Sequence, residues 1–180
     1  RFFARAPWLL VTLMAGLITA TRMAYFQLSP WFAIVPFFIP LIAGMSGNVG
    51  IQCSTIFVRG MATGEISPGT RRVAAMRELG IGHLIGVAFG LLCGIAVFML
   101  NHFGLLDVSM SPTTIGIIVG TGVLGACFTA TLLGTFSPLL FNRLNIDPAV
   151  ASGPIVTAFN DVISTFMFLL VVKVVSSCLV

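Results

Sequence analysis

Apolar residues run along this chain in long stretches, separated by short clusters of charge and turn-forming residues. Reading each stretch as a helix predicts spans near Trp8 to Phe26, Trp31 to Val58, Leu79 to Leu100, Pro112 to Phe141 and Pro148 to Val172. Met23 to Val58 and Val108 to Asn142 hold no charged residue, so no charge marks the ends of the second and fourth spans. Tilt or a kink must absorb their excess length, and Pro36 and Pro40 are the predicted kinks in the second. The SGNVG segment around Gly47 to Gly50 predicts a local break there, or a close approach of backbones.

Polar residues inside these runs are few and patterned. In the second span Gly44, Asn48, Gln52, Thr55 and Arg59 recur at helical spacing and form one stripe. Amides facing lipid without partners are costly, so this stripe must face protein or water. In the fifth span Asp147 is placed to cap and Pro148 to open the helix. Gly153, Thr157, Asp161 and Ser164 then share a face, with Asp161 near mid-membrane. A charge at the bilayer centre costs about 2.5 to 3.5 kcal/mol on insertion scales, so such residues face a bundle interior or an aqueous path. Pro154 removes a donor and frees the carbonyl of Val150 near the same face. A path along these two stripes would pass Asn48, Gln52 and Thr55 on the second span and Gly153, Pro154, Thr157, Asp161 and Ser164 on the fifth. Gly82, Gly86, Gly90 and Gly94 lie on nearly one face of the third span, and Gly116 with Gly120 makes a shorter version in the fourth. Both patterns predict close helix packing.

Composition agrees with a membrane chain. Of 180 residues 58% are hydrophobic and only 8% charged, with a mean hydropathy of +1.11. That excludes an ordinary soluble domain, which is roughly a quarter charged. About 20 residues cross the hydrocarbon core, so the length suits about five spans and leaves nothing for a soluble unit. Residues 1–180 therefore read as one all-α transmembrane domain, the membrane part of a longer protein.

The net charge of +4 does not indicate nucleic acid, because the basic residues neither cluster on a soluble face nor interleave with exposed aromatics. Arg1, Arg5, Arg59, Arg71, Arg72, Arg77 and Arg143 instead fall on one side of the predicted spans. This places the N-terminus in the cytoplasm and the C-terminus outside. The segment from Gly60 to Arg77 reads as a solvated topology anchor. Arg22 and Lys173 sit where long stems snorkel to the outer headgroups, and Trp8, Tyr25 and Trp31 mark interfaces.

Cys53, Cys93, Cys127 and Cys178 lack the paired spacing of a metal site or disulfide framework and read as packing residues. His83 and His102 belong to no catalytic motif, and the chain is not read as an enzyme. A ligand set of carboxylate, hydroxyl, amide and carbonyl favours a hard cation. Magnesium keeps several of its waters, so carbonyl and carboxylate oxygens can hold it through its first hydration shell. One Asp161 brings one negative charge, whereas a two-fold homodimer would bring two to a common axis.

The stretch PLIAGMSGNVGIQCSTIFVRGMATGEI, from Pro40 to Ile66, together with DPAVASGPIVTAFNDV, from Asp147 to Val162, resembles the membrane domain of the MgtE magnesium transporter family. APWLLVTLMAGLITA near the start and RELGIGHLIG at the third span fit the same pattern. The resemblance implies a five-helix homodimer in the inner membrane, conducting Mg2+ passively into the cytoplasm through a pore lined by the second and fifth helices. The family's essential acid matches Asp161, and its pore-facing positions one and two turns earlier match Thr157 and Gly153. It also implies an N-terminal cytoplasmic magnesium sensor with paired CBS modules in the full-length protein, absent from this chain.

Three positions depart from the family pattern. Gln27 stands where an acid often follows Phe, Ile51 replaces a polar residue after the GNVG motif, and Gly153 is smaller than in some relatives. The competing expectations are transport of manganese, cobalt or calcium, a sodium- or proton-coupled exporter, and a noncatalytic membrane assembly subunit.

Overall fold

A computed structural model describes residues 2–106, 108 and 110–179, excluding the side chains of 2–5, 8, 30, 150–152 and 179. Arg1 and the side chains of Arg5 and Trp8, used above for topology, lie outside the described residues. The order is α1 (Phe2–Phe26), a 3-10 segment (Pro30–Ile34), α2 (Val35–Ala62), α3 (Arg71–His102), α4 (Pro112–Arg143) and α5 (Pro148–Leu179). All five α-helices are long and apolar enough to cross a membrane.

Three of the helices, α3, α4 and α5, have 32 residues each. At 1.5 Å per residue that is about 48 Å, against about 30 Å of hydrocarbon. Their ends therefore extend past the apolar layer, and Arg71, Arg72 and Arg77, expected to precede the third helix, lie within α3. Arginine is a good helix former, so a charge cluster does not stop a helix that has left the lipid. Arg71 also donates from its guanidinium to Asn142 Oδ1 at 2.9 Å, tying the start of α3 to the end of α4.

Local signals set the ends. Ser111 caps α4 by accepting from the Thr114 N–H at 3.2 Å. Asp147 accepts from the Ala149 N–H at 2.9 Å, the cap anticipated for α5. Gly104 (φ 70°) and Asn145 (φ 57°) take the left-handed conformation after α3 and α4. The next N–H then returns to the carbonyl of Leu100 in α3 and of Phe141 in α4, satisfying carbonyls the helix leaves free. Replacing Asp147 with Ala should lower stability by about 1 kcal/mol. A fall in the unfolding midpoint in detergent would register it, and an unchanged midpoint would show the cap to be idle.

In the second helix one expectation is corrected and, of two alternatives, one is met. Pro36 stands in the first turn of α2, where its missing N–H costs nothing, and is not a kink. The helix also runs unbroken through Gly47 to Gly50. These glycines serve close packing: a Cβ at Gly50 would lie 3.0 Å from Val156 Cγ1 and 3.3 Å from the Ala130 carbonyl oxygen.

The bundle is organised around α4, which packs on α2, α3 and α5, while α1 rests mainly on α5 among the described residues. Small residues explain this centrality. Toward α3, a Cβ on Gly90 or Gly94 would stand 2.8 Å from the carbonyl oxygen of Gly120 or Gly116, so the glycine faces bring two backbones together. Toward α2, Gly134 meets the Gly50 carbonyl, and toward α5, Gly122 receives the Phe168 ring. Ile42, Val119, Val123, Cys127 and Phe168 fill the core between them.

Candidate functional site

The polar stripe lies on the α2 face that the bundle leaves uncovered. Gly44, Asn48, Gln52, Thr55 and Arg59 are exposed, whereas Ser46, Gly47, Val49, Gly50, Cys53 and Ser54 on the opposite face are buried. In α5, Gly153, Pro154, Thr157 and Asp161 are half-buried beside that face. A Cβ at Gly44 or Gly153 would meet nothing within 4 Å, so both rows border open space.

The two helices run antiparallel, with a register fixed by three contacts. Ser46 pairs with Asn160, Gly50 meets Val156, and Thr55 shares a cleft with Gly153. Asn48 therefore stands near the level of Thr157 and Ala158, Gln52 near that of Pro154, and Asp161 near that of Gly44 and Met45. The cleft, about 280 Å³, is lined by Ile51, Ser54, Thr55, Val58, Arg59, Ala149 and Gly153. Ser54 is buried there and its hydroxyl has no partner. Ile51 is exposed and lines the same cleft.

Thr157 donates its hydroxyl to the Gly153 carbonyl at 3.0 Å, which leaves its oxygen lone pairs as the acceptors it can offer. Asp161 is the carboxylate on this face. Among the described residues, no group of three or more His, Cys, Asp or Glu side chains could hold a metal. One copy of the face thus offers a single carboxylate amid neutral oxygens, with the Arg59 guanidinium toward one end.

Ser164 does not join the open face: it is fully buried, with an unpartnered hydroxyl. His83 packs edge-on against Phe128 and His102 stacks on Phe98. Gln27 is exposed at the end of α1. Of the cysteines, Cys53 and Cys127 are buried and all four are free.

The sequence did not reveal two further polar residues. Glu78 in α3 is buried and lies against Cys53, on the side of α2 away from the stripe. Asn160 is also buried, and an amide in an apolar run is the one signal that marks it.

The model of a family described as a divalent cation transporter, MgtE, matches residues 39–171. Among similar proteins, one named magnesium transporter MgtE from Bacillus subtilis is 30% identical over 92% of this chain and 35% of its own length. One of the same name from Thermus thermophilus is 29% identical over 96% of this chain and 36% of its own. Another, from Enterococcus faecalis, is 32% identical over 91% and 34%. The chain spans about a third of the length of these curated relatives.

Proposed function

The chain belongs to the MgtE family of divalent cation transporters, and from that premise we propose that it forms the Mg2+-conducting part of a multi-pass membrane protein. The observation that carries this reading is the open α2 stripe beside half-buried Asp161, on a molecule whose exterior is otherwise rich in Leu, Ile, Val, Met and Phe. Exposed amides cannot rest against lipid, so a second copy covers them and encloses water. A two-fold axis along this face brings two Asp161 carboxylates together and matches the charge of a divalent ion.

In this arrangement the paired Asp161 side chains hold Mg2+ through its waters. The Thr157 hydroxyl oxygen and the Asn48 and Gln52 amide oxygens accept from the hydration shell as the ion passes. Gly153 leaves the path wide at the end nearest Arg59. Arg59, Arg71, Arg72, Arg77 and Arg143 gather at that end of the bundle, which is cytoplasmic by the positive-inside rule. The inward field contributes about 2.3 kcal/mol per charge per 100 mV, so entry needs no coupled ion. N-terminal magnesium-sensing and CBS modules of the full-length protein regulate the pore from the cytoplasm.

Mg2+ uptake into vesicles holding the full-length protein tests this. Flux should rise with an inside-negative potential and persist without any sodium or proton gradient. Dependence on such a gradient would replace conduction with coupled transport. Stronger uptake of manganese, cobalt or calcium than of magnesium would change the substrate. No flux of any divalent ion would favour an assembly subunit.

A further inference from the structure

Directly beside Asp161, Asn160 points the other way. Its side chain is 0% exposed, and its Nδ2 donates to Ser46 Oγ at 3.0 Å. Ser46, also 0% exposed, gives its own proton to the Ala43 carbonyl at 3.3 Å. The single hydroxyl hydrogen is thus committed within α2, so the Ser46 oxygen is left to accept from Asn160, and the amide is oriented by that bond. Its cost is visible: Asn160 Oδ1 is buried with no partner. A matched apolar pair would fill the same seam without that cost.

What the polar pair adds is direction. Val156 against Gly50, on the same seam, is an apolar contact and tolerates small slides and rotations. Among the described residues, the Asn160 to Ser46 bond is the one side-chain hydrogen bond that crosses between α2 and α5. Successive residues of a helix are turned by about 100° and raised by 1.5 Å, so fixing Asn160 also fixes where Asp161 projects. Ser46 likewise sets Asn48, two residues on and on the opposite, open side of α2.

We propose that Asn160 is a positioning residue: bonded to Ser46, it locks the register and rotation of α5 on α2, and so sets how closely Asp161 and Asn48 fit the shell of the passing ion. This rests on the reading of Asp161 as the ion site. Mg2+ holds a tight octahedral shell while Ca2+ takes a looser and larger one. A seam free to shift therefore loses discrimination between the two before it loses conduction.

The test is uptake by the full-length protein in vesicles, measuring the Mg2+ concentration for half-maximal flux and the Ca2+ concentration that halves it. The informative variant is Ser46→Ala with Asn160→Leu, which removes the directional bond and leaves no unpaired polar side-chain atom at either position. It should fold at least as stably as the native protein, yet change the ratio of the two concentrations by about threefold or more, the scale of one lost hydrogen bond. A native ratio would show that the pair only packs and would overturn the proposal. Ser46→Ala alone, a loss of one oxygen, is judged on the same ratio if the double variant does not fold. Asp161→Ala separates the two readings. Native flux in that variant overturns the ion site itself, whereas lost flux beside a native ratio in the double variant overturns only the positioning role.

Discussion

Exchanging Asp161 for Ala is expected to lower Mg2+ flux by about a hundredfold or more while the protein stays folded. Two unit charges 4 Å apart attract by about 4 kcal/mol at an effective dielectric of 20, and a divalent ion doubles that. The intervening water shell and screening remove a large part, yet a loss of about 3 kcal/mol per conduit still reaches that range. Asp161→Asn should lose nearly as much, because it keeps the shape and removes the charge. Stability should not suffer, since a half-buried carboxylate near the middle of α5 opposes membrane insertion. Fluorescent Mg2+ indicators inside vesicles, with the unfolding midpoint as control, separate the two effects. Native flux from a folded Asp161→Ala protein would remove Asp161 from the mechanism.

Much of this arrangement is legible in the sequence because lipid simplifies the code. A run of apolar residues long enough to cross must be a helix, and a carboxylate inside one must have a reason to be there. Asp161, the stripe from Gly44 to Arg59 and the Asp147 cap follow from that logic. Helix ends beyond the lipid do not, and Arg71 to Arg77 continue α3 because no local breaker stops them. The unbroken course of α2 through SGNVG was equally hidden. Whether glycines break a helix or admit a neighbour depends on what lies opposite, here Ala130, Gly134 and Val156.

The same limit explains Ser164 and Asn160. Helical spacing puts Ser164 in line with Asp161, yet Ser164 is fully buried while Asp161 is only half-buried. Asn160 bonds Ser46 across the seam, 114 positions away in sequence, a contact no local pattern carries. Periodicity names the faces of a helix, and only tertiary contact says which neighbour each face meets.

Glycine substitutions along α3 should therefore divide sharply by position. Gly94→Ala places a methyl 2.8 Å from the Gly116 carbonyl oxygen, and Gly90→Ala does the same against Gly120. Both obstacles are backbone atoms, which cannot rotate aside, so α3 must lift from α4 along its length. Overpacking of this kind costs about 1 to 3 kcal/mol, and a bulky residue such as Leu at Gly94 should prevent stable assembly of the bundle. Gly80→Ala, on the same helix, meets nothing within 4 Å. It should stabilise by about 0.5 to 1 kcal/mol through helix propensity alone. Unfolding midpoints of the three alanine variants in one detergent decide the matter. A common shift of one sign would mean that propensity governs these sites. Opposite shifts would show that backbone contact between α3 and α4 holds the bundle, since lipid leaves no hydrophobic force to do so.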